Sequence, residues 1–207
     1  MKIKNIIMSL VLLLSISYYA QSQDMEQRFQ NELKLKNEQV TSIKCDFVQT
    51  RMVSVLANAV EKDGEFYFQK PNNMLLAFND GDFIKITEEW FEMKTAGNVT
   101  ATKVSSNPML KNLNSILSAC VVGDFEKMTK GFSIGFEESS QEWIVTLKPQ
   151  GGKSAAKISR IEIRFDKNDM SLNLLKMEEK SGDYTAYSFT NKQFNIDIDS
   201  QLFNISK

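Results

Sequence analysis

The chain has 207 residues, 42% hydrophobic, 10% aromatic and 25% charged, a composition that predicts one folded globular domain and excludes a disordered or fibrous chain. The 25 basic and 26 acidic residues leave a net charge of −1, which supplies no field for nucleic acid. The absence of histidine excludes Ser-His-Asp triads, Cys-His dyads and His-containing zinc sites.

Residues 1–22 read as a secretory signal peptide: Lys2 and Lys4, an apolar stretch from Ile6 through Ile16 broken only by Ser9 and Ser15, then small residues. Cleavage after Ser22 would put Ala20 at −3 and Ser22 at −1, and cleavage after Ala20 also fits. The apolar stretch is shorter than the ~20 residues that span a bilayer, and no cysteine at the cleavage site is available for lipidation. The mature domain is therefore expected over 23–207, exported and soluble, with 23 basic against 26 acidic residues.

In the mature chain, Asp24 with Gln27 forms a capping-box-like start, and Met25, Phe29 and Leu33 recur at helical spacing, predicting an amphipathic helix over 24–38. From Ser42 the period becomes two: Ile43, Cys45 and Phe47 alternate with Lys44, Asp46 and Val48, predicting a strand that runs to about Leu56. A β-rich run, Glu65–Gln69, is stopped by Lys70-Pro71-Asn72-Asn73. Met74–Phe78 follows, then the hairpin signal Asn79-Asp80-Gly81-Asp82, then Phe83–Thr87 and Trp90–Lys94. Ser106-Asn107-Pro108 offers a helix start, and Met109, Leu110, Leu113, Ile116, Leu117 and Cys120 share one helical face before Gly123. That helix fits either a packed element or a lid across a sheet. Strands resume at Phe132–Glu137, Trp143–Leu147, Ile158–Phe165, Leu172–Glu178, Tyr184–Phe189 and Phe194–Ile198. About ten strands joined by hairpins, with two or three helices, predict a mainly β fold built on a large curved antiparallel sheet or barrel.

Little in the chain suggests catalysis. The pairs Glu88/Glu89, Glu137/Glu138 and Glu178/Glu179 are adjacent strand residues that point to opposite faces, so neither member can assist the other. No phosphate-binding loop, nucleophile elbow, C-x-x-C or EF-hand spacing occurs. No enzyme activity, cofactor or metal is expected. Cys45 and Cys120 each sit in an apolar pattern, which favours two buried thiols over a disulfide. The conspicuous feature is the load of large apolar side chains on one-sided strands, which can fill a core or line a hollow; periodicity does not distinguish the two, and by itself it favours the filled core.

Phe47-Val48-Gln49-Thr50, then Gly64-Glu65-Phe66-Tyr67-Phe68-Gln69-Lys70-Pro71 running into Met74–Phe78, resembles the LolA family of periplasmic outer-membrane lipoprotein carriers. Trp143–Pro149, Ile161–Phe165 and Tyr187-Ser188-Phe189 are similar to the family's later strands. The resemblance implies an incomplete antiparallel barrel closed by a helical lid. It also implies a periplasmic monomer that takes acylated lipoproteins from an inner-membrane ABC exporter and passes them toward the outer membrane, with an outer-membrane acceptor as a further partner. On that pattern Phe47, Phe66, Phe68, Leu76 and Phe78 would line the acyl cavity, and Leu110, Leu113, Ile116 and Leu117 would form the lid. Two departures stand out: Lys70 occupies the position of the family's functional arginine, and a C-terminal segment beyond the last strand is expected to be missing. Lys70 is thus either a lid latch without arginine's planar fork or an exposed turn residue. Carriage of another lipid or glycolipid, or a non-catalytic envelope adaptor role, are the alternatives.

Overall fold

The computed structural model describes residues 24–56, 58–106, 114, 116–121, 131–151 and 157–206. The expected signal peptide over 1–22 and the expected lid residues Leu110 and Leu113 lie outside these residues.

Helix α1 covers 24–38, as the apolar spacing predicts. It buries Phe29 and Leu33 completely. Six strands follow: β1 (Ser42–Met52), β2 (Ala59–Gln69), β3 (Asn73–Phe78), β4 (Phe83–Ile86), β5 (Trp90–Thr95) and β6 (Asn98–Lys103). The described part of helix α2, 116–121, lies in the connection to β7 (Phe132–Glu138), β8 (Glu142–Pro149), β9 (Ile158–Asp166), β10 (Leu172–Glu179) and β11 (Tyr184–Phe194).

All eleven strands form one sheet in the order β6-β5-β4-β3-β2-β1-β11-β10-β9-β8-β7. Each neighbouring pair is antiparallel. The chain therefore builds two meanders that meet where β1 pairs with β11, and the sheet curls around its apolar face without closing, because β6 and β7 remain edges.

Period-two patterning accounts for most strands: on β8 Trp143, Val145 and Leu147, and on β9 Ile161, Ile163 and Phe165, are buried while their neighbours are not. α1 lies on this half of the concave face. The Phe29 ring meets Phe136, Trp143 and Phe165 at centroid distances of 5.3, 5.5 and 5.2 Å, and the Trp143 indole N–H donates to Glu32 Oε2 at 3.0 Å. Such a ring cluster adds about 0.5–1.5 kcal/mol per pair beyond area burial.

Three expectations are corrected. Asn98–Lys103 is a strand that lacks the hydrophobic signal, since as an edge it is polar and exposed along almost its whole length. The first strand stops at Met52, and residues 54–56 form a 3₁₀ turn. The expected last strand Phe194–Ile198 does not form: Phe194 ends β11, residues 195–198 are not a strand, Asn195 adopts φ 57°, its carboxamide oxygen accepts from the Thr41 amide at 2.8 Å, and the chain leaves the ladder there.

Residues 195–206 then do form a C-terminal segment beyond the last strand. It crosses the outer face of β3–β5, where Ile198 and Phe203 pack with Leu75. The cross-strand pair Lys85 and Glu92 lies beneath it, with Lys85 Nζ 3.3 Å from Glu92 Oε2. Glu92 Oε1 accepts from the Ser206 amide at 2.8 Å, and Lys85 donates to the Asn204 carbonyl. This covering explains why Met74, Leu75 and Leu76 are all buried: β3 has apolar contacts on both faces.

Candidate functional site: an apolar concave face with an open mouth

Strand register assembles the concave face row by row. Phe189, Phe47, Gly64 and Phe78 are successive partners across β11, β1, β2 and β3. Cys45, Phe66, Leu76 and Ile84 make the next row, and Ile43, Phe68, Met74 and Ile86 the one after it. The absent side chain at Gly64 is filled from both sides, since the Phe47 and Phe78 rings meet over it edge-to-face at 5.1 Å. Phe66 contacts Phe189 at 5.4 Å.

The five cavity candidates Phe47, Phe66, Phe68, Leu76 and Phe78 thus come together on one face, and all are buried. Ile116 and Leu117 of α2 are buried against the same cluster. Reading only β1–β3 misses what the far meander adds: Leu175, Met177, Tyr187 and Phe189 complete the ring around Leu117. The signal was present in the period-two runs of β10 and β11, but sequence does not place those runs beside β1.

Two small voids lie among the described residues of the interior. Leu117, Phe66, Leu76, Ile86, Met177 and Phe189 are among the residues enclosing a void of about 40 Å³, and Cys45, Cys120, Phe66 and Phe189 border another of about 30 Å³. Each is on the order of the 30 Å³ that one water occupies in the liquid. Toward the rim the concave face opens into a groove of about 490 Å³, within the roughly 300–1,000 Å³ of small-molecule sites. Its apolar surface comes from Val53, Val60, Phe78, Ile84 and Met93, and its polar surface includes Gln49, Arg51, Lys62, Asp82 and Lys94. Ile84 and Phe78 connect this groove to the packed interior.

Polar groups at the site are held rather than reactive. Gln49 Nε2 donates to the Tyr187 hydroxyl at 2.7 Å, and burial pushes that phenol above its ordinary range. Burial raises the Cys45 thiol to about 12 and the Cys120 thiol also strongly upward, and both cysteines are free and buried. Away from the cavity, the Lys167 ammonium holds Glu138 below the carboxylate range, and the Arg160 guanidinium does the same for Glu178. Among the described residues no group of His, Cys, Asp or Glu side chains is arranged to bind a metal, and no helix is long and apolar enough to cross a membrane.

Lys70 is neither free at a turn nor joined to the described part of α2. Its Nζ donates to the Asn37 carbonyl at 2.8 Å and the Glu38 carbonyl at 3.3 Å, capping the C-terminal end of α1. The polar tie to α2 comes from Asn72, whose carboxamide oxygen accepts from the Ser118 hydroxyl.

No curated protein sequence matches the chain. Among solved structures, an uncharacterized conserved protein from Thermus thermophilus superposes with a TM-score of 0.53 at 12% identity, over 88% of this chain and 94% of that one. A domain assigned to outer membrane lipoprotein sorting, from Vibrio parahaemolyticus, gives 0.50 at 10% identity over 89% and 97%. At these identities the likeness is one of fold. The model of the family described as outer membrane lipoprotein carrier protein LolA matches residues 38–206, from just before β1 through the C-terminal segment. The open eleven-stranded sheet, its apolar concave face and this match together place the chain in the LolA family.

Proposed function

We propose that the protein is an exported, periplasmic carrier that shields the acyl chains of lipoproteins between the inner and outer membranes. One observation carries this reading: a curved sheet with an aromatic concave face opens at its rim into a groove of about 490 Å³ continuous with that face. An acyl chain of about 15 methylenes exposed to water costs roughly 12 kcal/mol at ~0.8 kcal/mol per CH₂. A carrier must cover that surface and still release it, which favours adaptable apolar lining over a tight pocket.

Each of these two voids is smaller than an acyl chain, so a chain that enters the described interior parts the side chains around them. In this mechanism the chain enters from the groove past Phe78 and Ile84, and Leu117 yields as α2 moves off Phe66 and Leu76. Phe47, Phe66, Phe68, Leu76 and Phe78 then exchange contacts with one another for contacts with cargo. Loading would come from an inner-membrane ABC exporter and unloading would be to an outer-membrane acceptor.

The test is release from spheroplasts of the native host. Purified protein is expected to bring acylated lipoproteins into the soluble fraction, and Phe47→Glu, which puts a charge among Phe78, Tyr187 and Phe189, is expected to abolish release. No release by the wild type, with lipid nonetheless co-purifying, would shift the reading to carriage of another lipid. A protein that neither releases lipoprotein nor holds lipid would refute carriage.

A further inference from the structure

The sheet has two edges, and they are guarded differently. An unpaired strand edge offers backbone donors and acceptors to any extended segment, and charged side chains are a common guard against it. β7 carries Glu137 and Glu138, the latter bridged to Arg28 of α1 at 3.1 Å. β6, Asn98-Val99-Thr100-Ala101-Thr102-Lys103, has no proline, no bulge against β5 and no charge before its last residue. All of its residues except Thr102 are exposed.

The turn before β6 decides which backbone groups face outward. Ala96 and Gly97 both have positive φ, 50° and 83°, the two-residue turn whose flanking pair, Thr95 and Asn98, exchanges hydrogen bonds. Alternation then directs Asn98, Thr100 and Thr102 to β5 and leaves the N–H and C=O of Val99 and Ala101 pointing away from it. The Val104 amide, donating to the Glu89 carbonyl at 2.9 Å, keeps the same parity beyond the strand. The Lys103 carbonyl, next in the outward series, already accepts from the Ser106 hydroxyl at 2.7 Å. No described strand pairs with Val99 or Ala101 on the open side.

This edge adjoins the groove. Met93 and Thr95 line the groove and are the ladder partners of Thr100 and Asn98, so the edge lies one strand, about 4.8 Å, beyond it on the same face. The outward groups of two residues form a ladder far too short to bury the ~800 Å² per partner of a stable interface, which argues against a second copy held by β6 alone. They suit a segment that is already delivered. An acyl chain in the groove makes pairing of the polypeptide attached to it intramolecular, at a high effective concentration.

We propose that β6 is the docking edge for the cargo's polypeptide: the extended stretch next to the acylated residue adds to the sheet as a further strand while the acyl chain enters the groove over Met93 and Ile84. The proposal rests on the acyl-carrier reading and adds a peptide-binding edge to it. Affinity here comes from main-chain pairing, so one edge accepts lipoproteins of unlike sequence.

The test uses a palmitoylated decapeptide of alternating serine and alanine, the same lipopeptide with every backbone amide N-methylated, and palmitoylglycine, each below its micelle concentration, by titration calorimetry. Wild type is expected to bind the unmethylated lipopeptide about tenfold more tightly than the methylated one, the scale of one or two net backbone hydrogen bonds. In Ala101→Pro the ratio should fall to about one with palmitoylglycine binding unchanged. That substitution removes a donor that points away from β5, so the β5–β6 bonds are expected to remain, and a urea melt checks the fold. Amide hydrogen exchange on the wild type reads the same edge independently: the Val99 and Ala101 amides should slow about tenfold with the unmethylated lipopeptide and not with palmitoylglycine. Equal binding of the two lipopeptides by wild type, or unslowed exchange at Val99 and Ala101, would overturn strand addition while palmitoylglycine binding left the acyl carrier standing. A preference that survives in folded Ala101→Pro would overturn β6 as its location. Binding of none of the three ligands would overturn both readings.

Discussion

Replacing Gly64 with alanine tests how closely the cavity wall is built. An ideal Cβ at this position would lie 2.1 Å from the Ala77 carbonyl oxygen and 2.9 Å from both the Ala77 carbonyl carbon and the Phe78 Cα. All three atoms are backbone, so no rotamer change relieves the clash. To regain a contact of 3.4 Å the β3 backbone must retreat by about 1.3 Å, the difference between the two distances. A retreat of that size disrupts the local β2–β3 hydrogen bonding, at about 1 kcal/mol per bond, and separates Phe78 from Phe47, at about 0.5–1.5 kcal/mol. The expected loss is about 2–4 kcal/mol. Gly135 provides a matched control, because it too lies inside a strand, yet nothing is within 4 Å of its Cβ position. Gly135→Ala should change stability by less than about 0.5 kcal/mol or raise it slightly, since alanine restricts the unfolded chain. Urea unfolding followed by tryptophan fluorescence reads both variants, and with a slope of about 2 kcal/mol/M the Gly64→Ala midpoint should fall by about 1–2 M. Equal midpoints for the two variants would refute the claim that close approach of β3 is why glycine stands at 64.

The other predictions concern buried charge and buried thiols. Lys85→Met leaves Glu92, which has no exposed surface, without its cation, and the expected cost in a urea melt is about 3 kcal/mol, together with proteolytic release of residues 195–206. An unchanged midpoint and an uncleaved C-terminus would show that Lys85 does not hold that segment. For Cys45 the folded thiol is raised from an ordinary 9.0 to about 12 by burial, so the unfolded chain releases its proton first as pH rises. The thiol's contribution is then complete below about pH 9 and is lost progressively toward about pH 12. Melting temperature should therefore fall more steeply from pH 9 to 11 in wild type than in Cys45→Ala, and parallel curves would contradict the burial of that thiol.

Much of this molecule was legible in local pattern. Met25, Phe29 and Leu33 set the boundaries of α1, the Asn79–Asp82 turn places Gly81 at φ 85°, and one-sided alternation identifies β1, β8 and β9. These signals are local because a helix turn, a hairpin turn and a pleat are each determined by residues a few positions apart. The aromatic residues of β1–β3 were legible as candidates for the same reason. β6 was not, because an edge strand held by one neighbour needs no buried face.

What pattern could not supply was which surfaces meet. Pairing of β1 with β11 joins residues about 140 positions apart, and only that pairing brings Phe189 and Tyr187 to Phe47 and Gln49. The same holds for Lys70, for which the resemblance implies a lid latch and the residues alone an exposed turn lysine, and whose amine reaches the last carbonyls of α1. It holds too for the expected strand Phe194–Ile198, which ends at its first residue because Asn195 turns the chain across the outer face. The sequence by itself determined that an apolar, one-sided β sheet with an α1 helix would form, since burial depends on spacing. The tertiary structure decided that the sheet stays open and that Gln49 and Arg51 follow Phe47 toward its mouth beside Lys62, because those properties depend on register between distant strands.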